Sequence, residues 1–512
     1  MPQDPQPDIF TYAEFDLKAL CRRASTLRRN VSCVCDSEQR PASGSFNWAI
    51  FILFEDGVRW VFRSPHSRTF MPMELGIKLL ASEAATLRYL KAHSDIPVPE
   101  VYDYCASSDN NIGVPYIFMS EATGWPLSKF WRLAGSSQPD LDKTSKTRVL
   151  TQLGGITWKL SQMRFDKIGS LFEEDGSIEI KECLSRGHML HGRYDLEVPR
   201  GPFASEVEFY ESLVSAFLEQ AEILQLSHHC FVAPVPSRED YESSVQYKSA
   251  VSLWNDYVTV GRKTDSSDNR LDYIIAGNAL RDIMRKIKLP PVDPATFPLC
   301  HADLSVNNIY VDDNYNITCI IDWAFTSSIP ESMLLAAPGL PQYHDKLPPE
   351  LQLAFINGFI ASMPGSTEEQ LVRRYRESFE QGQVSWRLSR LLNFDSVNDY
   401  DLFATIWHFI HSPEENVGEY FLQQRRLPHY IQLYNEVQEE DQPASKIEKD
   451  EKDYFQNKDF RNTIARKLTL ISEWKTQFTA NNQPRLRKDM FVASPKLWKW
   501  IQEFMQDWEY GS

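Results

Sequence analysis

The sequence predicts an α+β chain, with a small β-rich unit followed by a larger, mainly helical one. Three observations predict it. The apolar runs Ala49–Phe54 and Val58–Arg63 flank Glu55-Asp56-Gly57, and Asp-Gly between apolar runs is the strongest short hairpin signal. From Trp125 to about residue 290 the apolar spacing is mostly helical. A second hairpin pattern then appears, Ile309–Val311 and Ile317–Ile321 around the turn-rich Asp312-Asp-Asn-Tyr-Asn316.

In chain order, residues 1–30 read as an N-terminal extension ending in a basic, helix-like stretch, Lys18 to Arg29. From Val31 the texture turns to β, and residues 31–122 read as one unit in the order β, β, β, α, β, β. In the strand Val58–Arg63, a period of two puts Arg59, Val61 and Arg63 on one face and Val58, Trp60 and Phe62 on the other. Pro65 stops the strand. Leu79 to His93 reads as a helix with the stripe Leu80, Ala84, Leu87 and Leu90. Glu83 lies beside that stripe, where a carboxylate is costly unless paired. It either reaches water at the stripe's edge or meets a cation from the sheet, Arg63 being the first candidate. Ile96-Pro-Val-Pro-Glu100 breaks the helix, strands follow near Glu100–Tyr104 and Pro115–Met119, and Ser120 to Gly124 is a connector.

Residues 123–435 form the larger unit, with Gly187–Pro202 and Pro234–Glu239 as its turn-rich parts. Its later helices are expected at Phe355–Met363, Val384–Leu392 and Leu402–His411. Residues 436–512 turn strongly charged and then helical around Thr463–Phe478 and Pro495–Trp508, an appendage behind a solvated loop.

The 512 residues are 42% hydrophobic and 24% charged, which excludes wholesale disorder and a fibrous repeat. A net charge of −16 argues against general nucleic-acid binding and against docking on anionic lipid. No apolar run approaches the ~18 residues of a membrane-spanning helix. Met1 to Tyr12 lacks the apolar stretch of a secretory signal. Eight scattered cysteines fit reduced thiols, so a cytoplasmic protein is expected. Cys33-x-Cys35 and His188-x-x-His191 are lone pairs, read as strand and loop residues rather than a zinc site. Asn30-Val-Ser32 and Asn316-Ile-Thr318 match the glycosylation pattern and, without a signal peptide, read as chance matches.

The segment 298–325 carries the chemistry. Polar residues crowd the outer ends of its hairpin: His301, Asp303 and Asn308 before it, Asp322 after it. A hairpin brings its ends together, so these groups are delivered to one place. Hard divalent cations take oxygen ligands from one or two carboxylates and an amide, a role that suits Asn308 and Asp322. A carboxylate that holds no metal can orient a hydroxyl and accept its proton, which suits Asp303.

His-x-Asp-x-x-x-x-Asn is the protein-kinase catalytic-loop spacing. The text here, His301-Ala-Asp303-Leu-Ser-Val-Asn-Asn308-Ile and then Ile321-Asp322-Trp323, resembles the aminoglycoside phosphotransferase-like family of the protein kinase-like superfamily. It is most similar to the fungal branch of that family, which is related to choline and ethanolamine kinases. The family reads His-Gly-Asp-Leu-x-x-x-Asn-Ile, then Ile-Asp-Trp or Ile-Asp-Phe, and Ala302 stands here for the Gly. The resemblance covers roughly residues 30–430. It implies a two-lobed fold with ATP bound between a small N-lobe (31–122) and a larger C-lobe (123–435).

The resemblance also implies site residues. The loop Ala42–Asn47, with Gly44, Ser45 and Asn47, would cover the nucleotide phosphates with backbone N–H groups. Arg63 stands where the family has a phosphate-contacting Lys, keeping the charge with a different donor geometry. Glu83 falls on the helix residue that pairs with that cation, and Lys78 is a spare cation nearby. Ser120 and Ala122 fall in the hinge that meets a purine, and His301 holds the catalytic loop. The activity implied is Mg²⁺-dependent transfer of the ATP γ-phosphoryl group to a hydroxyl of a small molecule.

The acceptor stays open among aminoglycosides, choline-like amines, sugars and secondary metabolites. Trp386, Trp407 and Tyr400 are its aromatic candidates, and an acidic surface suits a cationic one. No nucleic acid, membrane or obligate protein partner is expected. The alternative is a catalytically weak pseudokinase, a nucleotide-binding or scaffold module. A protein kinase ranks last, because Asp322-Trp-Ala replaces Asp-Phe-Gly and no Ala-Pro-Glu segment follows.

Overall fold

The computed structural model describes residues 8–66, 71–132, 139–226, 266–287, 296–341, 346–365, 369–395 and 399–439, with positions 229, 231, 441, 443 and 445 beside them. The turn-rich Pro234–Glu239 and the helical stretches expected at Thr463–Phe478 and Pro495–Trp508 lie outside the described residues. Among those that are described, the expected α+β arrangement in two lobes is the one observed.

The N-lobe begins with helix α1 (Leu17–Leu27), capped where Asp16 accepts from the Ala19 amide at 2.8 Å. Strands β1 (Cys33–Val34), β2 (Ala42–Ser43), β3 (Asn47–Phe54) and β4 (Arg59–Pro65) follow, then α2 (Met73–His93), β5 (Val101–Cys105) and β6 (Tyr116–Ser120). They form one six-stranded antiparallel sheet in the order β1-β3-β4-β6-β5, with β2 paired to β3. Gly57 turns the β3–β4 hairpin at φ 83°, a left-handed conformation that only glycine adopts without strain. The alternation read from β4 holds, with Trp60 and Phe62 buried on one face and Arg63 on the other.

Both faces of the sheet are covered. Trp48, Ile50, Phe54, Trp60, Phe62 and Phe118 pack with Ile9, Leu20 and Ala24, so the N-terminal stretch shares the core of the lobe. On the opposite face, Leu80 and Ala84 of α2 meet Ile117 and Met119. The helix starts at Met73, six residues before the expected Leu79. Its first turns bury a different side, Leu75 and Leu79, against Phe325 of the C-lobe. A single stripe extrapolated backwards misses that side.

The C-lobe opens with β7 (Trp125–Pro126), α3 (Lys143–Ser161), β8 (Arg164–Phe165), β9 (Ser170–Glu174) and β10 (Ser177–Lys181). The β9–β10 hairpin corrects the mostly helical reading of this region. Its turn is Asp175-Gly176, with φ of 48° and 78°, the two-residue geometry that Asp-Gly favours. Next come α4 (Arg186–Met189), α5 (Glu206–Ile223), α6 (Ser267–Lys286), β11 (Phe297–Cys300), β12 (Ile309–Val311), β13 (Ile317–Ile320) and β14 (Ser327–Ser328). The chain then continues through α7 (Glu331–Leu334), α8 (Pro349–Ala361), α9 (Glu369–Leu392), α10 (Asp399–Ile410), α11 (Val417–Gln424) and α12 (Pro428–Gln438).

One core, from Leu153, Ile309, Ile320, Trp323, Phe355 and Phe359 among others, lies directly beneath the β12–β13 hairpin. A second, around Phe217, Tyr273 and Phe403, joins α5, α6 and α10. Among the described residues no helix is long and apolar enough to cross a membrane.

Candidate functional site between the lobes

The site is built from β4, α2 and the two ends of the β12–β13 hairpin. Facing α2 from its strand, Arg63 donates from Nη1 to Glu83 Oε1 at 2.6 Å. Its Nη2 donates to Asp322 Oδ1 at 2.5 Å. Glu83 Oε1 also accepts the backbone N–H of Trp323 at 3.1 Å, so this carboxylate is paired and buried rather than solvated at the stripe's edge. Burial, opposed by the Arg63 guanidinium, pushes the Glu83 carboxyl up to about 7. Against the pull of burial, Glu83 and Asp322 hold Arg63 above its ordinary value. The charges of an N-lobe strand, an N-lobe helix and a C-lobe hairpin thus meet in one cluster.

The catalytic-loop spacing becomes geometry through backbone hydrogen bonds. His301 is buried, and burial lowers its pKa. Its Nδ1 accepts the Asp303 amide at 3.0 Å, so Nε2 carries the proton it donates to the Ile321 carbonyl at 3.0 Å. One neutral imidazole therefore ties the loop to the residue preceding Asp322. Asn308 Nδ2 donates to the Asp303 carbonyl at 2.9 Å, and the Ile321 amide donates to the Asn308 carbonyl at 2.9 Å. Asp322 itself has φ 64°, a left-handed conformation unusual for a residue with a Cβ and held here by these neighbours.

Asp303 lies partly buried at the loop. Its Oδ1 is out of water and takes no hydrogen bond among the described residues. Burial raises its pKa and the nearby Arg186 cation lowers it. Asn308 is buried and uses its amide nitrogen within the loop.

The loop between β2 and β3 packs against the C-lobe. The Gly44 amide donates to the Asn47 carbonyl at 2.9 Å. His66 Nε2 lies 3.1 Å from Ser43 Oγ, and Phe46 packs on Phe325 with ring centroids 5.2 Å apart. Ser45 is exposed at the tip and Asn47 begins β3. The hinge residue Ser120 serves the sheet: its amide donates to Glu100 O at 2.9 Å and its Oγ accepts the Glu100 amide at 3.0 Å. The connector beyond it, with Ala122, is partly exposed. Lys78 pairs with Glu182 at 2.9 Å, away from the Arg63 cluster.

Of the aromatic acceptor candidates, Trp386 lines a cavity beside the catalytic loop. Trp407 and Tyr400 belong to the second C-lobe core instead. Sequence reasoning missed Arg186, Arg390 and Asp395, which line the same cavity. Arg186 and Asp395, distant in the chain, approach to 3.7 Å, and no spacing announces such a pair. Cys33 donates to the Cys21 carbonyl at 3.3 Å, and His188 is buried between Ser185 and Ser212. Cys33 and Cys35 are thus strand and loop residues as expected, whereas His188 lies in the short helix α4 rather than in a loop.

No protein-family model matches the chain. It is 23% identical over 425 residues, 77% of this chain and 76% of the relative, to a subtelomeric hrmA-associated cluster protein of Aspergillus fumigatus. Over 98 residues, 19% of this chain and 15% of the relative, it is 32% identical to altered inheritance of mitochondria protein 9, mitochondrial, of Candida tropicalis. Among solved structures, a putative fructosamine-3-kinase from Thermobifida fusca matches 76% of this chain and 97% of its own at 13% identity, with a TM-score of 0.39. An ethanolamine kinase of Plasmodium vivax matches 77% and 83% at 12% identity, with a TM-score of 0.34.

Proposed function

We propose that this protein is an ATP-dependent phosphotransferase that moves the γ-phosphoryl group to a hydroxyl of a small molecule, in the manner of the aminoglycoside phosphotransferase-like family. The observation that carries the reading is the gathering of Arg63, Glu83, Asp303, Asn308 and Asp322 around one cleft between two lobes. Phosphoryl transfer asks a protein mainly for positioning and for charge where the phosphates lie. Arg63, anchored by Glu83, brings a fixed cation to the phosphates. Asp303 orients the acceptor hydroxyl and takes its proton.

The donor set fits a hard divalent cation. Asn308 Oδ1 and the Asp322 carboxylate are oxygens of the kind Mg²⁺ takes, and Asp322 is more than a third exposed toward the cleft. When bound, the cation supplies neutralisation of phosphate charge. Gly44 leaves the loop tip without a side chain where backbone amides would approach those phosphates.

The test is purified protein with ATP, Mg²⁺ and a panel of hydroxylated metabolites. Asp303→Asn should lower kcat by about 100-fold or more, the usual reach of a general base, while nucleotide still binds. Full turnover in that variant would sink the assignment. One observation favours a second reading, a nucleotide-binding scaffold: Arg63 bridges directly to Asp322 and so competes for the metal carboxylate. Saturable Mg²⁺-ATP binding with no turnover on any acceptor would select it.

A further inference from the structure

Ala302 and Leu304, the residues on either side of Asp303, form one wall of a cavity of about 180 Å³ in the C-lobe. Its other walls are largely apolar, with Leu160 of α3, Phe209 and Leu213 of α5, Met333 of α7 and Phe325 among them. The polar groups of the lining are largely taken up within the protein. Thr157 donates to the Leu153 carbonyl at 2.9 Å, the Ser185 hydroxyl meets His188 Nδ1 at 2.8 Å, and that of Ser327 meets Ser170 at 2.8 Å. The Ser385 hydroxyl lies beside that of Tyr210. Both ring nitrogens of His301 are spent on backbone. The charged groups are engaged as well. Arg186 faces Asp395 at 3.7 Å and acts on Asp303, and the Arg390 guanidinium lies 4.0 Å from the centre of the Trp386 ring. Arg186, Arg390 and Asp395 each have further partners besides.

We propose that this cavity seats the acceptor and that the acceptor is a compact, uncharged alcohol, with one hydroxyl presented to Asp303 and an apolar body laid against Leu213, Phe325 and Met333. This rests on the phosphotransferase reading above and narrows its substrate. An apolar cavity of about 150 Å³ holds a benzene ring, so this one suits an aromatic or cyclic aliphatic body of about six to eight non-hydrogen atoms. A sugar or an aminoglycoside would bring several hydroxyls or ammonium groups to walls whose own donors and acceptors are already paired, and each would lose its water without a replacement. A cationic acceptor, which the overall acidity suggested, would need a carboxylate in the wall, and Asp395 is already engaged by Arg186. The local lining, rather than the net charge, therefore decides recognition. In the reaction, the bond between the γ-phosphorus and the bridging oxygen of ATP breaks and ADP leaves. A new bond forms from that phosphorus to the alcohol oxygen, giving a phosphate monoester, and the hydroxyl proton passes to the Asp303 carboxylate.

The test compares benzyl alcohol and cyclohexylmethanol with glucose, choline and aminoglycosides under ATP and Mg²⁺. The two apolar alcohols should be phosphorylated with kcat/KM about 100-fold above the polar acceptors, the discrimination an apolar pocket reaches against added polar groups. Two variants then move the size of the preferred body in opposite directions. Leu213→Ala widens the cavity and should favour the two-ring 2-naphthylmethanol over benzyl alcohol. Ala337→Val narrows it and should favour 2-methylpropanol over benzyl alcohol. Each shift should be about tenfold or more in the ratio of kcat/KM values, a change of preference that loss of stability alone does not produce. Preference for the polar acceptors, or size preferences that stay put in both variants, overturns the proposal and leaves the phosphotransferase reading standing. Turnover of no acceptor overturns it too, and thermal protection by Mg²⁺-ATP then decides the wider reading: retained, it selects the nucleotide-binding scaffold; absent, nucleotide binding falls as well.

Discussion

Asp303 keeps one oxygen out of water, and that has a kinetic consequence. Burial holds its pKa above the ordinary carboxylate value, and Arg186 moderates the rise. In the proposed role of base Asp303 works only when ionised, so the acid limb of kcat/KM should lie above the normal carboxylate range. Arg186→Gln should move that limb to higher pH, and a pH–rate profile of both proteins checks it. A second titrating residue acts on stability. His188 is fully buried, with its ring nitrogens 2.8 Å and 3.0 Å from the hydroxyls of Ser185 and Ser212. Burial, helped by the charges of Arg193 and Arg200, pushes it down to about 3. The unfolded chain takes up this proton near pH 6.5 while the folded chain does not. Stability from His188 is therefore complete above that value and is lost as pH falls, by about 1.4 kcal/mol per pH unit. Urea unfolding at pH 7 and pH 5 should show about 2 kcal/mol less acid loss in His188→Gln than in the parent protein.

Helices α3 and α8 approach closely, and at their contact two glycines face backbone. A Cβ on Gly358 would land on the Thr151 carbonyl, and one on Gly154 on the Phe355 carbonyl. Helix propensity alone favours Ala over Gly by about 1 kcal/mol. Overpacking at such a contact costs about 1–3 kcal/mol, and here the neighbour is backbone that cannot rotate away. Gly358→Ala should therefore destabilise the protein by about 2 kcal/mol, the upper end of that difference because backbone cannot yield, measured as a lower urea midpoint at unchanged slope. At this scale most of the N-lobe was legible, because alternation in β4 and the Asp56-Gly57 turn are local. The β9–β10 hairpin carried the same signal in Asp175-Gly176, embedded in polar residues that hid the alternation.

Among the described residues, Arg63 ties the N-lobe sheet electrostatically to the C-lobe hairpin through Asp322. A nucleotide in the cleft binds only the folded chain, so at a hundred times its Kd it should add about 2.7 kcal/mol to the unfolding free energy. Asp322→Ala should abolish the magnesium-dependent share of that gain, and denaturant titrations with and without Mg²⁺ measure it. An undiminished magnesium effect in the variant would remove Asp322 from the metal site. The second covering layer of the N-lobe also belongs to this scale. Residues before position 30 looked like an extension because nothing in their own sequence shows which surface Ile9 and Leu20 would cover.

What the sequence determined by itself was everything carried by short-range chemistry: the catalytic-loop spacing, the hairpin that brings Asn308 beside Asp322, and the face of β4 on which Arg63 stands. Turn conformations and side-chain periods depend only on near neighbours, so they can be read before folding. The tertiary structure alone decided that Arg63 reaches Asp322 as well as Glu83, that Ser120 serves the sheet, and that Arg186, Arg390 and Asp395 share a cavity wall. These contacts join residues far apart in the chain. Their distances are set by how helices and sheet pack around a common core, and no local pattern encodes that.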